Sequence, residues 1–328
     1  MNNMFGDLLT IAFDITYNCN LRCLHCYNSS GEQSYVKKQL ENHEIFEIIR
    51  DIAEIKGLDT VCLCGGEPLL KKDILLECIK YLRFKNDKMS INFVTNGILL
   101  DEQTVIEIKE AGVTVVQVSL DGFDDETHDW VRNSKGVYDK AVAVIKLLVK
   151  YHIPVSVACL PIKKNFDDIP QIIQMLEELG VYEFRMQPLM VMGRAKENMK
   201  GQILSDEEYS KISRYLNKCK KEYISKKRKM MIEWGDPIQH LAYMPKKSLK
   251  SLHIDAYGEI LLSPYLPLIV GDLRKHSLMD YFNNGLSSAW DLDIVNELAK
   301  RITSPNKMDL SPDSNSIFND NIIIYDIL

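Results

Sequence analysis

The sequence predicts an α/β protein built on a partial (β/α)6 barrel, followed by a small α+β extension. Short apolar runs alternate with amphipathic stretches as far as residue 190, a pattern typical of parallel strands joined by helices. The first strand is not followed by a Gly-x-Gly-x-x-Gly turn, which disfavours a dinucleotide-binding sheet. Because the alternation then stops, we expect a barrel core over residues 1–195 and the extension over residues 196–328.

Six buried strands are predicted from apolar runs that are bounded by polar residues, Gly or Pro. They cover residues 11–16, 58–64, 89–95, 113–120, 153–160 and 181–189. Five helices are predicted between them, and several begin at Asp or Asn and end at Gly. They cover residues 42–56, 71–85, 101–111, 136–151 and 167–180. Consecutive units of this kind give a parallel sheet with helices on its outer face.

The extension has a different pattern. A long charged helix is predicted over residues 205–230, a β-hairpin over 253–263, and two short helices over 277–284 and 289–302. The hairpin is expected to turn at Ala256-Tyr257-Gly258-Glu259. We interpret this region as a C-terminal addition and not as a seventh strand–helix unit. The apolar run at 322–325 can pair as an edge strand or fray.

Composition excludes several classes of protein. With 328 residues, 46% of them hydrophobic, the chain is long enough to bury a core and is not disordered. Its 40 basic and 46 acidic residues give a net charge of −6, so we expect no nucleic-acid partner. No apolar run approaches the ~20 residues of a membrane span, and the N-terminus lacks a signal peptide. We therefore expect a cytoplasmic protein with no membrane partner, whose eight cysteines are thiols or metal ligands.

Three cysteines follow the first predicted strand within eight residues: Cys19, Cys23 and Cys26. Thiolates on a loop at the carboxyl end of a barrel strand can converge on one metal centre. A structural zinc site requires four ligands, and His25 is awkwardly placed to be the fourth. An iron–sulfur cubane held by three cysteines leaves one iron open for another ligand. A zinc knuckle, or thiols without a common role, is the alternative.

This Cys-x-x-x-Cys-x-x-Cys motif resembles the signature of the radical S-adenosylmethionine (radical SAM) superfamily. After the second predicted strand, Cys64-Gly65-Gly66-Glu67-Pro68 is similar to the Gly-Gly-Glu-Pro motif of the same family. The resemblance implies one 4Fe–4S cluster on the three cysteines, with S-adenosylmethionine bound to its open iron. It also implies reductive cleavage of that cofactor and a 5′-deoxyadenosyl radical that abstracts hydrogen from a substrate.

The resemblance further implies which residues bind S-adenosylmethionine. The glycine motif is expected to meet the ammonium group, strand-end polar residues the ribose and carboxylate, an arginine the carboxylate, and two other residues the adenine. These residues are His25, Gly65, Gly66, Glu67, Pro68, Asn96, Ser119, Asp121, Arg132 and Leu189. A guanidinium offers paired donors to a carboxylate, which supports the role given to Arg132.

The predicted hairpin and the run Ile269-Val270-Gly271-Asp272-Leu273 resemble the SPASM or twitch extensions of peptide-modifying members. Ser263 and Pro264 stand where a cysteine of an auxiliary cluster is expected, and no cysteine follows Cys219. We therefore expect a single cluster. The implied substrate is a ribosomally synthesised precursor peptide, modified by epimerisation or crosslinking, with electrons from a donor such as flavodoxin or ferredoxin. The alternatives are a small-molecule metabolite or cofactor precursor as substrate, and a non-catalytic zinc-binding scaffold.

A redox-neutral outcome such as epimerisation needs a hydrogen donor, and a thiol is suitable. Cys159, near the end of the fifth predicted strand, is the first candidate, and Cys64 is the second. The alternative for each is a buried thiol with a structural role only. The charged helix is interpreted as a solvated face, with docking of an acidic peptide leader as the alternative. Its cations are Lys218, Lys220, Lys221, Lys226, Lys227, Arg228 and Lys229.

Overall fold

A computed structural model describes residues 9–32, 37–243, 249–304 and 323–328. In these residues the strands are β1 (Leu9–Thr16), β2 (Leu58–Gly65), β3 (Ser90–Thr95), β4 (Val115–Ser119), β5 (Val155–Cys159), β6 (Glu183–Met186), β7 (Met231–Trp234), β8 (Ser251–Ile254), β9 (Glu259–Leu261), β10 (Leu268–Asp272) and β11 (Ile323–Ile324). They form one sheet in the order β11-β10-β9-β8-β1-β2-β3-β4-β5-β6-β7.

The helices of the described residues are α1 (Asn42–Ala53), α2 (Lys72–Lys85), α3 (Glu102–Ala111), α4 (Asp125–Arg132), α5 (Val137–Lys150), α6 (Ile169–Glu178), α7 (Arg194–Asn198), α8 (Asp206–Ser225), α9 (Pro237–Tyr243), α10 (Leu278–Asn283) and α11 (Asp293–Arg301). Short 3-10 helices cover Pro68–Lys71, Lys163–Asp168, Lys200–Gln202 and Leu286–Asp291. Among the described helices, none has both the length and the apolar character needed to cross a bilayer.

The predicted partial barrel is confirmed, and its sheet is not closed. Strands β1 to β7 are parallel neighbours in chain order. Side chains alternate between the two faces of each strand. On β1 and β2 the set that includes Phe13, Val61 and Leu63 is fully buried against the helices. The other set, which includes Asp14, Cys62 and Cys64, points into the barrel.

Local sequence explains where the helices begin and end. The Asp101 carboxylate accepts a hydrogen bond from the Thr104 amide (2.8 Å) and caps α3, which ends at Gly112 in the left-handed region (φ 95°). Ser205 and Glu208 form a capping box at the start of α8. All six predicted strands and all five predicted barrel helices are present, with ends that differ by a few residues.

The expectation that no seventh unit follows is wrong. Strand β7 follows α8 and pairs in parallel with β6, so the two elements continue the strand–helix alternation. The strand has four residues, and Glu233 within it binds Lys220 on α8 (2.8 Å). A strand this short, with a carboxylate in it, shows no recognisable apolar pattern in the sequence, so it was not predicted. Helix α4 was likewise not predicted, because its eight residues are mostly polar.

The C-terminal hairpin is confirmed as β8 and β9, which pair antiparallel. On its other side β8 pairs in parallel with β1, and β10 and β11 continue the sheet beyond β9. The end of the chain therefore forms an edge strand, although Ile322 and the polar segment 305–322 lie outside the described residues. Because β1 and β9 occupy both edges of β8, β7 cannot pair with it.

The predicted domain boundary at 195/196 stays a prediction.

Strand β1 is held on both sides, and Phe13 at its centre is fully buried. We expect Phe13→Ala to lower the free energy of unfolding by about 3–5 kcal/mol, because it leaves a cavity in the core. Phe84→Ala is the matched control: that ring is 84% exposed, so its loss is expected to change stability by less than about 0.5 kcal/mol. Urea unfolding midpoints measure both effects, and equal shifts would contradict this assignment of the core.

Candidate functional site

A cavity of about 270 Å³ lies at the carboxyl ends of the parallel strands, the edge where barrels of this type hold their chemistry. Most of the predicted site residues line it. They are Cys19, Cys23, His25, Cys26, Gly65, Gly66, Asn96, Ser119, Asp121, Arg132, Cys159 and Leu189. Glu67 and Pro68 are buried and do not line the cavity.

The loop that carries the three cysteines is fixed by contacts from distant parts of the chain. The Leu24 amide donates to the Val131 carbonyl (2.9 Å). Arg194, on α7, donates from Nε to the Cys23 carbonyl (2.9 Å) and from its backbone amide to the Cys26 carbonyl (3.0 Å). Sequence reasoning missed Arg194, because nothing in its local sequence indicates a contact with residues about 170 positions earlier.

The three sulfur atoms each have nearby hydrogen-bond donors. The Leu21 amide lies 3.5 Å from Cys19 Sγ, the Ser30 amide 3.3 Å from Cys26 Sγ, and Arg132 Nη1 3.9 Å from Cys23 Sγ. Burial raises the pKa of Cys19 to about 11, so metal binding there would displace a proton.

In the described part of the chain, no three His, Cys, Asp or Glu side chains are close enough to hold one metal ion. A cubane instead binds each thiolate through a different iron. Three soft donors that face one cavity suit such a cluster.

A buried ion pair crosses the cavity wall. Arg132 Nη2 lies 2.6 Å from Asp121 Oδ2, and both side chains are less than a tenth exposed. Burial raises the pKa of Asp121, but the charge of Arg132 together with smaller contributions, which include the hydrogen bond from the Leu160 amide, holds that pKa below its ordinary value. Arg132 Nε and His25 Nδ1 have no hydrogen-bond partner among the described residues. These two buried nitrogen atoms can therefore bind polar groups of a ligand.

Two further residues fix Asp121. Its backbone amide donates to His128 Nδ1 (3.0 Å), and its carbonyl accepts from Asn165 Nδ2 (2.8 Å), which also donates to the Leu160 carbonyl (2.8 Å). Burial and the positive charge of Arg132 lower the pKa of both His25 and His128 to about 4. Both rings are therefore neutral at pH 7. His128 lies four residues before the predicted Arg132 on the same helix, whereas Asn165 has no sequence signal.

Glu67 is occupied by the protein itself. Its carboxylate accepts hydrogen bonds from Thr95 Oγ1 (2.8 Å), the Asn96 amide (2.8 Å) and the Leu69 amide (3.2 Å). Burial raises its pKa to about 7. These contacts join the end of β2 to the end of β3 and orient Asn96 in the cavity wall. The contact of the glycine motif with the cofactor's ammonium group stays a prediction.

The two glycines of the motif let the chain after β2 approach the chain after β1. A Cβ atom on Gly65 would collide with the Thr16 carbonyl, and one on Gly66 with the Asn18 carbonyl. The Gly66 amide donates to that Thr16 carbonyl (2.7 Å), and the Glu67 amide to that of Asn18 (2.9 Å). Glycine is required at both positions for this reason as well as for any contact with a ligand.

Cys159 is 3% exposed, and its Sγ lies 3.8 Å from Asn165 Nδ2. Strand alternation places it with Val155 and Val157 on the helix-facing side of β5, and only the end of the strand brings it to the cavity wall. Burial raises the pKa of its thiol well above the ordinary value, so the S–H bond is intact at pH 7. Its role as hydrogen donor stays a prediction.

The lysine-rich helix is α8 and the turn that follows it. Several of its cations form ion pairs within the chain: Lys220 with Glu233, Lys226 with Glu222, and Arg228 with Glu177. Ion pairs of this kind are typical of a helix face that is exposed to solvent. They leave fewer free charges for a peptide leader than the sequence suggests.

Comparison with known proteins gives one family. Residues 13–176 match the model of the radical SAM superfamily. An AdoMet-dependent heme synthase of Methanosarcina barkeri is 27% identical over 84% of this chain and 82% of its own length. The Fe-coproporphyrin III synthase of the same organism is 31% identical over 64% and 51%. A PqqA peptide cyclase of Bradyrhizobium diazoefficiens is 26% identical over 75% and 62%. The chain thus spans about half to three fifths of the latter two.

The fold is also similar to a solved structure. Streptococcus suis SuiB bound to S-adenosylmethionine superposes with a TM-score of 0.67 over 89% of this chain and 68% of SuiB, at 14% identity. At this identity the likeness concerns the fold alone.

A buried neutral histidine makes stability depend on pH. In the unfolded chain His128 gains a proton near pH 6.5, but the folded protein resists protonation down to about pH 4. The unfolding free energy is therefore expected to fall by about 3 kcal/mol on this account as the pH drops from 6.5 to 4. His128→Asn, which retains an acceptor for the Asp121 amide, is expected to flatten this part of the curve.

Urea unfolding of the protein at several pH values measures this effect. The matched control is His152→Asn, because His152 is exposed and has a left-handed backbone (φ 57°) that Asn tolerates. An identical pH slope in the His128→Asn variant would show that His128 is not held neutral.

Proposed function

Because the chain belongs to the radical SAM superfamily, whose members bind a 4Fe–4S cluster and S-adenosylmethionine, we propose that it cleaves S-adenosylmethionine and modifies a ribosomally made peptide. One observation carries the first part of the proposal: Cys19, Cys23 and Cys26 line the same cavity as the buried Arg132–Asp121 pair. When bound, the two cofactors supply a one-electron reduction and a 5′-deoxyadenosyl radical.

Each group of residues has a separate task in this proposal. The three cysteines hold the cluster. Arg132, fixed along one edge by Asp121, offers Nε to the carboxylate of S-adenosylmethionine. Asn96, Ser119 and the neutral His25 ring give polar contacts to the nucleoside, and Leu189 with the backbone of Gly65 and Gly66 gives the apolar and close contacts. Glu67 positions Asn96, and Pro68 begins the short helix that follows Glu67.

A peptide substrate is supported by the relatives and by the open barrel. The PqqA peptide cyclase aligns with three quarters of this chain. The parallel strands end at β7 on one side and at β8 on the other, so the sheet is not closed between them, and we place the entry of an extended chain at this opening in the sheet. Electrons would come from a small donor protein of the flavodoxin or ferredoxin class.

A second candidate function is modification of a tetrapyrrole or another small molecule. Its specific support is the heme synthase relative, which aligns with 84% of this chain and to 82% of its own length, more than the peptide cyclase does. Both candidates use the same cofactor site and differ only in what enters the opening.

We expect anaerobically reconstituted protein to form 5′-deoxyadenosine from S-adenosylmethionine and dithionite. The variant with Cys19, Cys23 and Cys26 all replaced by Ala should show none, because the cluster has lost its three ligands. Cys219→Ala is the matched control, since this half-buried cysteine lies on α8. Mass spectrometry measures the product, and equal yields from the triple variant would refute the cysteine assignment.

The substrate class is tested in the same assay by two additions. Short peptides encoded beside the gene are expected to raise the rate of 5′-deoxyadenosine formation by roughly tenfold, since bound substrate excludes water and completes the site. Fe-coproporphyrin III is expected to leave the rate unchanged. Stimulation by the porphyrin and not by the peptides would establish the second candidate instead.

A further inference from the structure

The inner face of the barrel carries a thiol pair that the cofactor site does not use. Cys62 and Cys64 lie two residues apart on β2. Val61, which precedes Cys62, and Leu63, which lies between the two cysteines, are buried against the helices. Because side chains alternate along a strand, both cysteines point inward. The two sulfur atoms are 4.0 Å apart, and Cys64 Sγ is 3.3 Å from the Cys62 carbonyl oxygen. Both residues are free thiols and only partly buried.

An acid–base pair lies beside these thiols. His253 Nε2 is 3.0 Å from Asp14 Oδ2, and both side chains are almost completely buried. The strand register explains the arrangement: Ala12 on β1 is paired with Cys62 on one side and with His253 on the other, and Asp14 is paired with Cys64. Four reactive side chains from three strands therefore share one part of the barrel interior.

The thiol pair adjoins the cofactor cavity. Cys64 directly precedes Gly65, which lines that cavity. The same strand end is fixed against β1, where Thr16 is paired with Gly65 and its carbonyl accepts from the Gly66 amide. Arg185, which also lines the cavity, favours the thiolate of Cys62. A substrate that extends from this cavity into the barrel interior would therefore lie against β2.

We propose that Cys64 and Cys62 form a redox-active dithiol, with Cys64 as the hydrogen-atom donor to the substrate radical and Cys62 as the sulfur that captures the resulting thiyl radical. This inference rests on the proposed radical chemistry and specifies its outcome. It assigns the donor to β2, whereas the sequence favoured Cys159, whose side chain shares the helix-facing side of β5.

The local environment gives the two thiols different acidities. The hydrogen bond with Cys64 lowers the pKa of Cys62, although burial opposes the shift, and the charge of His253 acts in the same direction as the hydrogen bond. The same hydrogen bond, burial and nearby Asp14 raise the pKa of Cys64 well above its ordinary value. Cys64 therefore keeps the S–H bond that a hydrogen-atom donor requires, and Cys62 is the readier thiolate.

The dithiol gives up its two electrons separately, one to the substrate radical and one to an acceptor. The S–H bond of Cys64 breaks and a C–H bond forms on the substrate, which leaves a thiyl radical on Cys64. That sulfur joins the Cys62 thiolate in an S–S bond, and the surplus electron passes to a one-electron acceptor, for which the oxidised iron–sulfur cluster of the family is suited. The substrate gains one hydrogen atom, the dithiol loses two electrons, and an external dithiol restores it.

The pair has the geometry for such a bond. Two residues of a strand span about 6.6 Å, which is just within the Cα–Cα range of disulfides, about 4.4–6.8 Å. A disulfide at this limit is strained, and strained disulfides are easily reduced. The pair can thus be oxidised in one turnover and restored before the next. This chain has no cysteine after Cys219, so the dithiol would supply redox capacity that the extension lacks.

The first test needs no substrate. Anaerobic holoenzyme is treated with the dithiol oxidant diamide, then alkylated with iodoacetamide and digested. The peptide that spans Cys62 and Cys64 is expected to be unalkylated and lighter by two hydrogen atoms, and dithiothreitol should reverse this change. Cys62→Ser and Cys64→Ser should each abolish the disulfide, and Cys219→Ser should retain it. Alkylation of both sulfurs after diamide would overturn the proposal.

The second test follows the hydrogen atom. The peptide that stimulates 5′-deoxyadenosine formation is incubated with holoenzyme in D2O, where thiols exchange but carbon-bound hydrogen does not. The product is expected to carry one deuterium on carbon, with one Cys62–Cys64 disulfide per product, and Cys64→Ser should lower labelled product by at least about tenfold. Loss of label in Cys159→Ala but not in Cys64→Ser would assign the donor to Cys159 and overturn the proposal. Failure of the radical chemistry itself is distinguishable, because it would appear as absence of 5′-deoxyadenosine in the wild type.

Discussion

The contact between the chain after β1 and the chain after β2 is the constraint on which the site depends. Two carbonyls, of Thr16 and Asn18, accept amides from the glycine motif, and side chains at Gly65 or Gly66 would prevent the approach. This contact brings the cysteine loop and Glu67 to the same edge of the sheet. Glu67 then extends the network to β3, since it accepts from Thr95 and from the Asn96 amide.

The network closes on itself. Asn96 Nδ2 donates to Asn20 Oδ1 (2.8 Å), and Asn20 belongs to the cysteine loop. Three successive strand ends are therefore linked by hydrogen bonds that run from β1 to β2, from β2 to β3, and from β3 back to the loop. Because each buried polar group in the ring has a partner, removing one leaves others unsatisfied and costs more than one bond. A motif read as cofactor-binding in the sequence thus also organises the protein around the cofactor.

How much could be predicted depended on whether the signal was local. The cysteine triplet, the glycine motif and the alternation of strands and helices are local, and they gave the fold and most of the cavity wall. Arg194 and Asn165 act through contacts that fold topology creates, so their own neighbours in sequence carry no signal. The side of the sheet on which Cys159 lies depends on the position at which alternation along β5 begins. A shift of one residue places a side chain on the opposite side, and the sequence does not fix that position. Strand β7 was too short to show a period.

The charges of the cavity wall add an independent argument for what it holds. Three arginines line it, Arg132, Arg185 and Arg194, whereas Asp121 is the one acidic residue among the described lining residues and is paired with Arg132. Arg194 is paired with Glu32 (2.9 Å) and His25 is neutral, so the positive excess of the wall comes from Arg185. A centre ligated by three thiolates carries net negative charge, and S-adenosylmethionine, although a net cation, places its carboxylate in a region of low dielectric, where uncompensated charge is costly. The positive charge of the wall therefore compensates the thiolate-ligated centre and the carboxylate of the cofactor.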